Sequence, residues 1–156
     1  MKKLDSIEHV WSIICSRSII DSETNSLTLN NLIEKITVNI PKVEFEKAKG
    51  TGHTIFNAPI EYEITSLFRK SEGKKVVLFD MRVRMINSSD QTIMTGAEQK
   101  IGLKEGVKNI RIRNRFNAIP LEKTGEYTFI IDLKEIEDPV YTEVGKIPVE
   151  IEMKIV

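Results

Sequence analysis

The chain has 156 residues, with 23 basic and 23 acidic side chains and one cysteine, a length that can bury a core without disulfides or metals. Zero formal net charge supplies no long-range attraction to nucleic acid or anionic lipid. The lone Cys15 excludes an intramolecular disulfide and a cysteine-based zinc site.

No stretch reaches the ~18 consecutive apolar residues of a membrane helix. Met1-Lys2-Lys3 precedes an apolar run, but Asp5, Glu8, Ser12, Ser16 and Arg17 interrupt it and no small-residue cleavage site follows, so the expectation is a cytoplasmic protein. Period-2 alternation dominates what comes next, the pattern of strands with one face in a core. Val10 to Ile20 is apolar on both faces and reads as a central first strand, and Asp21-Ser22-Glu23-Thr24-Asn25-Ser26 reads as a turn. Leu27 to Ile40 carries two periods. Leu29, Leu32, Ile33 and Ile36 fit a helical face, whereas Thr37-Val38-Asn39-Ile40 alternates; the reading is a strand after a short helical turn. Residues 46–59, with Gly50, Gly52 and Pro59, form the longest expected loop.

Residues 60–69 and 76–86 are expected to pair as a hairpin about Glu72 and Gly73. That register sets Ile60, Tyr62, Ile64 and Phe68 opposite Met85, Val83, Met81 and Val77. On the other face it sets Glu63 opposite Arg82 and Glu61 opposite Arg84. A turn at Asn87 to Gln91 leads to a strand within 92–103, where Gly96 and Gly102 mark irregularity. Val107 to Ala118 alternates Ile110, Ile112, Phe116 and Ala118 against Arg111, Arg113 and Arg115. A connection over 134–145 precedes a last strand with Ile147, Val149, Ile151, Met153 and Ile155 inward and Glu150, Glu152 and Lys154 outward.

Leu121-x-x-x-Gly125-x-Tyr127, running into the alternation of Tyr127, Phe129, Ile131 and Leu133, resembles the tyrosine corner of immunoglobulin-like and fibronectin-type sandwiches. There a Tyr hydroxyl folds back onto the backbone a few residues upstream. The resemblance implies a two-sheet Greek-key sandwich with Tyr127 buried; the Cys–Trp–Cys pattern of antibody domains is absent. The chain also resembles a diffuse group of small bacterial and phage-encoded sandwich proteins through Ser12-Ile13-Ile14-Cys15, Asp21 to Asn25, Leu27 to Ile36 and Gly125 to Leu133. That likeness implies no activity.

The chemistry-bearing residues are few. Cys15 among Trp11, Ile13 and Ile14 reads as an inert core residue. His9 and His53 lack a carboxylate or cysteine at ligand spacing, and no Gly-x-Ser-x-Gly elbow is present. Lys49-Gly50-Thr51-Gly52-His53-Thr54 lacks the spacing of a phosphate-binding P-loop. Glu61 with Glu63, and Glu150 with Glu152, share strand faces and read as surface ion-pair partners rather than as paired catalytic acids. Asp138 with Glu135, Glu137 and Glu143 only approximates a calcium loop. The Arg111, Arg113 and Arg115 stripe is the sharpest surface feature. It fits intramolecular ion pairing or edge protection, and it also fits an acidic partner; no exposed aromatics interleave with it to stack nucleic-acid bases. If the hairpin and the last strand share a sheet, Glu61, Glu63, Glu126, Asp132, Glu150 and Glu152 gather on one outer face, opposite the arginines.

The expectation is one all-β domain over residues 1–156, an immunoglobulin-like two-sheet Greek-key β-sandwich. It is expected to be a non-enzymatic interaction or assembly module that needs no cofactor or metal. A protein partner or a second copy would meet Arg111, Arg113 and Arg115; no membrane or nucleic acid is expected. The alternative is a small-ligand binder or enzyme with its site in the 46–59 loop near His53.

Overall fold

Alternating apolar residues build twelve strands among the residues that the structure, a computed structural model, describes: 4–52 and 54–156. They are β1 (Ile7–Ile20), β2 (Leu27–Leu32), β3 (Lys35–Ile40), β4 (Phe56–Ala58), β5 (Tyr62–Lys70), β6 (Val77–Ile86), β7 (Thr92–Thr95), β8 (Gln99–Leu103), β9 (Asn109–Phe116), β10 (Ile119–Leu121), β11 (Gly125–Glu135) and β12 (Thr142–Ile155), with helix α1 (Lys42–Gly50) between β3 and β4. The protein is mostly β, with one short helix and a curled half-barrel among its three sheets. A four-stranded sheet runs β2-β1-β5-β9, and β10 pairs with β4. The six-stranded sheet runs β3-β12-β11-β6, with β7 and β8 both on the far side of β6.

The core lies between the larger sheets. Tyr62, Ile64 and Phe68 of β5 meet Phe79, Met81, Val83 and Met85 of β6 together with Phe129, Ile131 and Leu133 of β11, all buried. The Phe68 and Phe79 rings meet edge to face at 5.7 Å, and Tyr62 meets Phe129 at 5.6 Å, separations within the attractive range for aromatic pairs.

This arrangement overturns the expected hairpin. β5 pairs with β1 and β9, whereas β6 pairs with β11, β7 and β8. The loop after Lys70 therefore changes sheets, and the two apolar faces meet across the core instead of lying side by side. Matching alternation is satisfied equally by neighbours in one sheet and by strands facing across a core, so the periodicity could not separate the two.

Residues 27–40 form two strands rather than one strand after a helical turn. β2 joins the four-stranded sheet beside β1, while β3 runs parallel to β12 in the other. Asn31 at φ 51° precedes the change of direction, a left-handed conformation that Asn tolerates better than most residues. The expected 46–59 loop begins inside α1 and contains β4. Pro41 opens that helix, Glu44 lies in its first turn and Lys47 and Lys49 in its last, the polarity the helix dipole favours. It buries no residue; Phe45, stacked on Phe56 at 5.6 Å, packs it against the core. The 92–103 segment is two strands, parted where the Gly96 amide bonds the Val83 carbonyl at 2.8 Å.

Tyr127 is 2% exposed. Its hydroxyl donates to the Lys123 carbonyl at 2.7 Å and accepts from the amides of Glu122 and Lys123 at 3.0 and 3.1 Å. One side chain thus satisfies three main-chain groups in the turn that carries β10 into β11. Replacing Tyr127 with Phe removes all three bonds without emptying the core. Equilibrium denaturation of Tyr127→Phe should show a loss of about 1–3 kcal/mol, the usual penalty for orphaned polar groups; unchanged stability would show that the corner does not hold the turn.

Candidate functional site

Of the three buried carboxylates among the described residues, Asp80 pairs with Lys134, while Glu63 and Asp132 organise the arginines, and neither of these two has the partners expected from sequence. Glu63 of β5 is 4% exposed. Its carboxylate accepts from the Ser18 amide at 2.9 Å, from the Ser18 hydroxyl, and from Arg115 Nε at 2.7 Å. Burial pushes its pKa up, but the Ser18 hydroxyl and amide and the Arg115 guanidinium outweigh burial and hold it below the ordinary value. Asp132 of β11 is 2% exposed and takes both arginines assigned to Glu63 and Glu61. It accepts from Arg82 Nε at 3.0 Å and from Arg84 Nη2 at 3.1 Å. The side of the fold bearing Asp132, Glu150 and Glu152 therefore lacks Glu63, which lies with the arginine stripe in the four-stranded sheet, and Glu61, which immediately precedes β5. The expected segregation of acidic and basic faces is correspondingly weaker.

The arginines of β9 reach inward across their sheet. Arg111 Nη1 donates to the Asn25 carbonyl at 2.8 Å, Arg113 Nη1 to the Ser18 carbonyl at 3.4 Å, and Arg115 to Glu63. All three bind the far half of the β1–β2 hairpin or the carboxylate that anchors it. Each spends part of a guanidinium's five donors there, and the Arg115 side chain remains 66% exposed. Beside it opens a cleft of about 540 Å³ lined by Arg17, Glu61, Glu63 and Arg115, with Tyr62 and Phe116 also in its wall. Those two rings stack at 4.9 Å, and the Tyr62 hydroxyl is buried without a hydrogen-bond partner among the described residues; burial raises its pKa above the ordinary tyrosine value.

A second polar group lies where sequence reading expected only a surface histidine. The β1–β5 register shifts between His9 and Trp11, so Val10 is an extra residue and His9 and Ser12 oppose Phe68 and Ser66. Both residues are thereby brought to one face. His9 Nε2 lies 2.7 Å from Ser12 Oγ, which lies 2.6 Å from Ser66 Oγ. Burial lowers the His9 pKa, and a Cβ on Gly145 would stand 2.7 Å from the imidazole Cε1, so any side chain there would displace the ring from its place against β12. No carboxylate hydrogen-bonds this ring among the described residues, and the group lacks the base-orienting partner of a hydrolase triad.

Cys15 is fully buried, and burial together with the nearby Glu63 charge raises its thiol pKa, as suits an unreactive core cysteine. No group of three or more His, Cys, Asp or Glu residues is placed to hold a metal ion among the described residues. His53, the residue at the centre of the expected ligand loop, lies outside the described residues. The bulge that aligns His9 with Ser12 and the pairing of Glu63 with Ser18 escaped sequence reasoning. Both arise from contacts between segments far apart in the chain, and the alternation pattern carries no trace of them.

No protein-family model matches the chain, and no curated protein matches it. Among solved structures, the N-terminal domain of PorA is similar over 92% of this chain and 98% of that one, at 8% identity and a TM-score of 0.28.

Because the folded pKa of Glu63 is depressed, its contribution to stability is fully present above the unfolded value and is lost as pH falls through the folded one. Glu63→Gln keeps the shape and removes the charge. Denaturation should find the variant about 1–3 kcal/mol less stable at neutral pH, with the gap closing below the ordinary carboxylate value near 4.5. A gap independent of pH would show that Glu63 is not held as a carboxylate.

Proposed function

We propose that the protein is a non-enzymatic interaction module built on a single immunoglobulin-like Greek-key β-sandwich, and that it engages a protein partner through the β9 side of its four-stranded sheet. The Tyr127 corner between β10 and β11 supports the sandwich assignment. The observation that carries the functional reading is the contrast between two kinds of charge. Glu63 and Asp132 are buried and closed into internal pairs, whereas Arg113, which bonds only a main-chain carbonyl, and Arg115, still 66% exposed beside Glu63, lie on a strand with a neighbour on one side only among the described residues. Cations on an open strand keep identical edges apart, and the same cations select a partner of opposite sign. Exposed charges are screened over a Debye length of about 8 Å at physiological ionic strength, so such docking weakens with salt.

Retention on immobilised polyglutamate, followed from low to physiological salt, tests this reading. The native chain should be retained at low salt and released as salt rises, and Arg111→Glu/Arg113→Glu should not be retained at all. Identical, salt-independent behaviour of the two proteins would contradict it.

A further inference from the structure

This inference rests on the module reading and specifies the partner's chemistry. The Lys70 amide bonds the Lys108 carbonyl at 2.8 Å, which sets the phase of the β5–β9 ladder. In an antiparallel pair each residue turns its N–H and C=O to the same side, and successive residues alternate. Ile110, Ile112, Asn114 and Phe116 therefore bond to β5, opposite Phe68, Ser66, Ile64 and Tyr62. Asn109, Arg111, Arg113 and Arg115 turn their main-chain groups to the open side, where no strand pairs with them among the described residues. The same strand carries three arginines on one face and the half-buried Ile110 and Phe116 on the other.

We propose that this open edge takes up an extended segment of a partner protein as an added antiparallel strand. Asp or Glu at alternate positions would lie opposite Arg111, Arg113 and Arg115, with apolar residues between them covering Ile110 and Phe116. Main-chain bonds give such an added strand its affinity, and alternate side chains give it specificity. A second copy of this chain is a poor occupant. Two β9 edges related by a two-fold axis set arginine against arginine, which is destabilising. The other edge strands, Leu27–Leu32, Lys35–Ile40, Phe56–Ala58, Thr92–Thr95, Gln99–Leu103 and Ile119–Leu121, contain no acidic residue. The bonds to the Asn25 and Ser18 carbonyls each use one nitrogen of Arg111 and Arg113, leaving donors for a carboxylate.

The probe is a capped seven-residue peptide of alternating Glu and Val, with Glu at both ends. In an antiparallel hydrogen-bonded pair the residues directly opposite exchange both bonds, so each Glu facing an arginine also points its amide at β9, while each Val amide points away. N-methylation of the Glu amides should weaken binding by about tenfold or more, and N-methylation of the Val amides should leave the Kd nearly unchanged. Binding should shift the amide resonances of Arg111, Arg113 and Arg115, and a Lys–Val peptide should not bind. The methylated peptides need no protein variant, so the test does not depend on a mutant's folding. Equal sensitivity to both methylation patterns, with binding still lost in Arg113→Glu, would overturn strand addition and leave the module reading standing. Self-association of the native chain through β9 without peptide binding would overturn the choice of occupant. No peptide binding and no salt-dependent retention on polyglutamate would remove both.

Discussion

A carboxylate taken almost wholly out of water must be neutralised and hydrogen-bonded where it sits, and Glu63 meets that demand by drawing three strands together. β1 pairs with β5 only as far as Cys15, opposite Glu63, while its pairing with β2 continues to Ile20. Ser18 thus lies where the β5 side of β1 has no ladder partner, and the Glu63 carboxylate caps its amide and hydroxyl there. The far half of the β1–β2 hairpin is consequently held over β5 rather than continuing flat. Arg113 and Arg111 extend the closure by bonding the Ser18 and Asn25 carbonyls from the opposite strand of the sheet. β5 is left with both faces covered, which is why Thr65, on the same face as Glu63, is fully buried on a strand whose alternation promised a wet side.

The six-stranded sheet handles its buried Asp132 differently. Asp132 is neutralised by arginines on the adjacent strand, at Arg82 directly opposite and at Arg84 two residues along. This pairing pins the register of β6 against β11. One sheet is therefore curled by its carboxylate and the other is indexed by it. In both cases the acid is spent inside the fold, and the curl ends at a strand whose outward main chain carries cations on alternate residues. The functional reading follows from that distribution of charge, since the unspent groups are the ones left to meet a partner.

Much of the architecture was legible. Tyr127 identified the corner because its chemistry is local, with five residues separating the hydroxyl from the farther amide it holds. The alternation in β6, β9, β11 and β12 marked strands because each buries one face. The partners of those strands were hidden. The apolar faces of β5 and β6 match each other as well across a core as within a sheet, and opposite charges on both strands completed a false register. α1 was missed because it buries nothing and so has no apolar stripe to betray it, although Pro41, Glu44, Lys47 and Lys49 stand where a helix dipole wants them. The stripe Arg111, Arg113 and Arg115 was visible as a pattern. Its internal acceptors were not, since two of the three are main-chain carbonyls that any residue would supply.

Amide hydrogen exchange in the free protein tests the central claim, that Glu63 closes the curl and leaves β9 with an open edge. The Ser18 amide, capped by Glu63, and the Ile112 amide, turned to β5, should exchange slowly, near the rate of global unfolding. The Arg113 amide, one residue further along the same strand, should exchange far faster than Ile112. Equal protection of Arg113 and Ile112, or a Ser18 amide exchanging as freely as those of the 21–26 turn, would contradict the account.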